Sequence, residues 1–133
     1  MTTRDTVSIR ESSDVMRVRH EVRAWAARHG FGVVDQTKIV TAASELARNT
    51  LIYGLGGTCT IEWVEDGMNT GLRLIFEDQG PGIVDIEQAL RDGFTTGNGM
   101  GLGLGGARRL MSYFRIESQP GKGTRITVAR WKI

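Results

Sequence analysis

"TCTIEWVEDGMNTGLRLIFEDQGPGI", residues 58–83, is the stretch that decides the fold. Its two runs, "TCTIEWVE" and "GLRLIFED", are rich in apolar and β-branched residues, and the connector "DGMNT" is turn chemistry, so the stretch predicts a β-hairpin. The second run leaves through Asp78, with Gly80, Pro81 and Gly82 behind it. Glycine and proline mark a turn, but a turn alone does not ask for a carboxylate at the end of a core strand. Asp78 is either an Asx-turn residue or an acceptor for a ligand's amino group, with Gly80 and Gly82 letting a flat ring lie against the backbone.

Upstream of the hairpin, "TVSIR" reads as a short strand. "SSD" reads as a helix start for Val15, Val18, Val22, Trp25 and His29, a run ended by Gly30. A second helix is expected from Asp35, as N-cap, to about Gly54, with Ile39, Val40, Ala43, Leu46, Ala47 and Thr50 on one stripe. Downstream, "VDIEQALRDG" reads as a short helix. Leu104, Ala107, Leu110, Met111 and Phe114 mark another, and "FRIES" and "RITVARW" flanking "QPGKGT" give two closing strands. The pattern implies one α/β domain over residues 1–133, with helices layered on one face of a sheet.

Composition excludes several classes. A chain of 133 residues with a formal charge of +2 gives no argument for nucleic acid, and Arg17, Arg19, Arg23 and Arg28 spread around the polar side of the first helix without forming a stripe. No apolar stretch approaches a membrane span or a signal peptide, and the one cysteine, Cys59, cannot form an internal disulfide. A soluble, cytoplasmic protein is expected. Cys59 is read as a buried strand residue and His29 as a boundary residue of the first helix. One cysteine and two histidines make a structural zinc improbable.

Four places carry chemistry. "ELARN" puts Glu45 and Asn49 one turn apart at the rim of an apolar stripe, a carboxylate and an amide able to hold a metal ion and a hydroxyl together. Arg48 lies a quarter turn or more from that pair on an ideal wheel, so it is assigned no catalytic role and is left for contact with a protein substrate. The second place is Asp78 with its glycines. The third is "GNGMGLGLGG", residues 97–106, whose backbone N–H groups and following helix start suit phosphate. It is not a dinucleotide fingerprint, because no strand precedes it directly and Glu117 comes too soon for a ribose acid. The fourth is "GKGT", residues 121–124, which is not a Walker loop because its lysine is followed by glycine.

The order of these signals is more specific than any one of them. Glu-x-x-x-Asn on a helix, Asp-x-Gly-x-Gly after a strand, a glycine-rich loop opening a helix, and Gly-x-Gly-Thr before a strand resemble the four boxes of the GHKL ATP-binding superfamily. Within it, "TAASELARN", "DIEQALRDGFTTGNGMGLGLGGARRLM" and "IESQPGKGT" resemble the serine/threonine kinases of the anti-sigma and switch-kinase type. The resemblance implies the α+β Bergerat fold, an α/β sandwich with one mixed, mostly antiparallel sheet covered on one face by helices.

It also implies ATP and Mg²⁺ as cofactors. Asp78 would accept the adenine amino group, Gly80 and Gly82 would line it, and Thr124 would support it. Asn49 would ligate Mg²⁺, and Glu45 would act as general base. Gly99, Met100, Gly101, Leu102, Gly103 and Leu104 would surround the phosphates, with Phe94 to Met100 as a lid. The implied partners are STAS-domain protein substrates and, alternatively, a PP2C-type phosphatase, with no nucleic acid and no membrane. Two other readings stay open: a sequestering module that binds ATP with little or no transfer, and an isolated ATPase. Binding alone requires no base, so Glu45 separates the first of these from a kinase.

Overall fold

The computed structural model describes residues 4–83, 85–90 and 103–132. Nine elements follow in order: β1 (Arg4–Ile9), α1 (Ser12–Arg28), α2 (Val33–Ile52), β2 (Gly57–Asp66), β3 (Asn69–Asp78), α3 (Ile86–Ala89), α4 (Gly103–Leu110), β4 (Tyr113–Ser118) and β5 (Thr124–Trp131). The strands form one sheet in the order β1-β2-β3-β5-β4. All four described pairings are antiparallel, so the expected admixture of parallel pairing is absent among the described residues.

The β2–β3 hairpin forms as the sequence reads. Cys59 lies opposite Phe76, Ile61 opposite Leu74 and Trp63 opposite Leu72, so one face of both strands is apolar. Gly67 opens the two-residue connection with φ +60°, a conformation that glycine adopts without steric cost. On that apolar face lie Val18, Val22 and Trp25 of α1, Ile39 and Leu46 of α2, and Leu104 and Ala107 of α4, all in one core with Phe76 and Val128. Complete burial of side chains of this size contributes roughly 1.5–3 kcal/mol each. The opposite face mixes polar residues with Ile75 and Ala129, which stand outside that core. There Glu62 is buried between two arginines, accepting from Arg4 Nε at 3.1 Å and from Arg73 Nε at 2.6 Å.

Three boundaries differ from the sequence reading. Helix α1 has Glu11, not a serine, as its N-cap. Asp14 sits inside the first turn, and its Oδ2 accepts the N–H groups of Arg10 (2.8 Å) and Glu11 (3.1 Å). Helix α2 starts at Val33 after Gly32, so Asp35 is a first-turn acid and not the cap. Its Oδ1 instead receives Arg130 Nη2 at 2.9 Å, tying α2 to β5. Helix α4 stops at Leu110, and Phe114 belongs to β4, opposite Val128. The same apolar residue satisfies a helical stripe continued from Leu110 and the inward face of a strand.

His29 caps α1 and stacks between Trp25 (5.6 Å between centroids) and Trp63 (4.1 Å). Burial, then the charges of Arg28 and Lys132, hold its imidazolium below the usual range. The unfolded chain therefore binds this proton more readily. The stability contribution is complete above the ordinary value of 6.5 and is lost as pH falls through the lowered folded value. The melting temperature is expected to fall further between about pH 7 and pH 5 in the wild type than in His29→Phe, which keeps a ring in the stack. Equal falls would remove His29 as the cause. Asp14 acts in a separate, more acidic window: the Arg10 N–H holds its carboxyl below the ordinary value, so its contribution is lost only as pH falls through that lowered value.

Candidate active site

A cleft of about 230 Å³ lies between α2, the end of β3 and the start of α4. Its length follows from α2, because Glu45, Asn49 and Tyr53 succeed each other at one-turn spacing along the cleft wall. At 1.5 Å rise per residue, Glu45 lies about 10 Å along the helix axis from Ile52, the last residue of α2.

Asp78 marks the Gly54 end. It is the last residue of β3, opposite Thr124 at the start of β5. Its Oδ1 accepts the Gly80 N–H at 2.9 Å, which is the Asx turn that the sequence allowed. Gly54 packs directly on this carboxylate: a Cβ there would lie 2.4 Å from Asp78 Cγ and 2.5 Å from Oδ2. Only hydrogen at that position lets Asp78 stand at the cleft. The Thr124 hydroxyl is 2.8 Å from Ser118 Oγ, which donates to the Gly123 carbonyl (3.1 Å) and accepts the Ile83 N–H (2.8 Å). With the serine proton committed to Gly123, Thr124 donates to Ser118 and turns its free lone pairs elsewhere, so it is available as an acceptor beside Asp78.

Between the two ends the lining is apolar, with Phe76, Ile83, Leu104 and Ile126. At the far end stand Glu45, only 5% exposed, and Asn49. Arg48 does not point away as the ideal wheel implied: its Nη1 reaches Glu45 Oε1 at 3.3 Å, and it lines the cleft. A long flexible side chain departs from the direction its Cα alone suggests. Gly103, which opens α4 with φ +55°, and Leu104 line the cleft as expected. Gly82 does so too, with its φ of +79° and no room for a Cβ beside the Gln119 carbonyl. Gly80 is not on the wall, since it packs against the backbone of Gly54. Gly99, Met100, Gly101, Leu102 and the expected lid lie outside the described residues.

The site thus joins an acceptor-only carboxylate, an apolar slot and, beyond it, an amide with a carboxylate and a helix N-terminus. That donor set fits a nucleotide: a base with an exocyclic amine in the slot, and phosphates toward Asn49 and α4. Among the described residues no group of three His, Cys, Asp or Glu side chains could hold a metal. A Mg²⁺ ion at Asn49 would therefore depend on oxygens brought by the nucleotide. Sequence reading missed Gly54 and Ser118. The first was visible only as the glycine at the end of the second helix, and the second only as the last residue of the strand "FRIES".

The family described as histidine kinase-, DNA gyrase B-, and HSP90-like ATPase matches residues 34–133. The serine/threonine-protein kinase RsbT of Bacillus subtilis is 45% identical over 131 residues, covering 98% of both chains. An anti-sigma F factor of Thermoanaerobacter is 33% identical over 119 residues, covering 85% of this chain and 82% of its own. Among solved structures, a Mycobacterium tuberculosis protein with RsbU and RsbW domains matches 98% of this chain and 33% of its own, with TM-score 0.69 and 24% identity, a likeness of fold. No helix among the described residues is long and apolar enough to cross a membrane. The chain belongs to the histidine kinase-, DNA gyrase B- and HSP90-like ATPase family, and within it resembles the serine/threonine-protein kinase RsbT along its full length and an anti-sigma F factor along most of it.

Proposed function

We propose that this chain is a cytoplasmic kinase that binds Mg-ATP in the cleft and passes the terminal phosphoryl group to a serine or threonine of a STAS-domain protein. A PP2C-type phosphatase would compete for the same surface. The observation that carries this reading is the order of groups along the cleft: the carboxylate of Asp78 beside Gly54, the amide of Asn49 further along, and the buried carboxylate of Glu45 at the far end. The full-length similarity to a serine/threonine-protein kinase supports it.

Each residue has a distinct task. Asp78 and Thr124 select the base, and Gly82 leaves the slot open. Asn49 would ligate Mg²⁺, which when bound neutralises charge on the phosphate oxygens. Glu45 takes the proton from the attacking hydroxyl as the new oxygen–phosphorus bond forms and the bond to the departing diphosphate breaks. The first amides of α4, at Gly103 and Leu104, supply N–H groups and the positive end of a helix dipole. Gly99, Met100, Gly101 and Leu102, outside the described residues, are proposed as further phosphate-binding residues from their sequence alone. Phosphorylation of one partner then lowers its affinity relative to the other, because it adds charge at the shared surface.

The test is transfer from γ-labelled ATP by the purified chain. Label is expected on serine or threonine of a STAS-domain protein. Release of inorganic phosphate at the same rate with or without that protein would identify an isolated ATPase instead.

A further inference from the structure

Arg48 is the only cation on the described lining of the cleft, against two carboxylates, Glu45 and Asp78. A polyphosphate entering such a wall meets two like charges, and only the guanidinium can offset them where the phosphates lie. Arg48 already stands at the right end, since its Nη1 contacts Glu45, the group placed to receive the proton of the attacking hydroxyl. The contact is a single one at 3.3 Å between residues three apart, with the arginine side chain 32% exposed and the glutamate side chain 7%. A single contact of this length is long for a charge-assisted hydrogen bond, whereas phosphate oxygens offer guanidinium a two-pronged, more highly charged partner.

We propose that Arg48 is a phosphate-binding switch: its guanidinium exchanges the Glu45 carboxylate for the terminal phosphoryl group of ATP, and that exchange frees Glu45 to accept the proton. The proposal rests on the function given above and assigns a role to a residue that it left idle. It makes the base available only when a transferable phosphoryl group is at hand, which suppresses futile proton uptake on the diphosphate.

Binding of Mg-ADP and of the non-hydrolysable Mg-AMPPNP, measured by calorimetry, tests it. In the wild type the triphosphate analogue is expected to bind more tightly. Arg48→Ala should lower that preference about tenfold, the loss of one charge-assisted hydrogen-bonded contact, with little change for Mg-ADP. Arg48→Lys should restore part of it. Glu45→Gln, which weakens the competing partner, should raise Mg-AMPPNP affinity about threefold, and the gain should vanish in the double variant Glu45→Gln/Arg48→Ala. A merely structural Arg48 would lower the melting temperature and weaken both nucleotides equally; that result, or no change in preference in either single variant, overturns the switch alone. A wild type that binds neither nucleotide overturns the kinase reading and the switch with it.

Discussion

Asp78→Asn is expected to weaken Mg-ATP binding by about 2–3 kcal/mol, roughly 30- to 150-fold, while the protein stays folded. The amide presents an N–H group, or a neutral oxygen, where the carboxylate presents a charged acceptor. A nucleobase amine then meets either a donor or a weaker partner in a slot that is otherwise apolar, and the unpaired group bears the desolvation cost. The substitution is chosen for what it keeps. Asparagine Oδ1 can still accept the Gly80 N–H that Asp78 accepts at 2.9 Å, so the Asx turn survives, and its volume still fits beneath Gly54. The melting temperature should therefore stay within about 3 °C of the wild type. Calorimetry beside a thermal melt separates the two effects. Unchanged affinity in a folded variant would remove Asp78 from the nucleotide site, and with it the reason for the whole orientation of the ligand.

How much of this was legible in the sequence depends on how local each signal is. The hairpin was legible because Cys59, Ile61, Leu72, Leu74 and Phe76 alternate on one face, and a register set by a buried face leaves no second pairing. The cleft's two ends were legible because Glu45 and Asn49 sit one turn apart and Asp78 ends a core strand. Asp35 was misread because an acid favours both an N-cap and the first turn, and Arg130, 95 residues away, decides between them. Phe114 was misread because a residue four beyond Leu110 fits either period. Gly54 and Ser118 could not be found this way. One matters only because Asp78 lies against it, and the other only because three chain segments meet at its hydroxyl.

Glu45→Gln is expected to reduce phosphoryl transfer to the partner about 10²- to 10⁴-fold, the range for loss of a general base. That is about 3–5 kcal/mol of transition-state stabilisation. The change is nearly isosteric at a position only 5% exposed, and the amide oxygen can still accept from Arg48, so the helix and the core beneath it should be unaffected. Nucleotide affinity should not fall, and the complex with a STAS-domain protein should still form in a pull-down, because neither asks for a proton acceptor. This combination divides a kinase from a module that holds its partner only in response to ATP. In the second case the glutamate would be a dispensable polar residue, and what little transfer the wild type shows would be the same in the variant. A carboxylate buried on the wall of a nucleotide cleft, with its one described cation as neighbour, is costly unless it has a task. Retained incorporation in Glu45→Gln would mean that the attacking hydroxyl loses its proton to solvent or to the phosphoryl oxygens themselves, and Arg48 would then have no base to release.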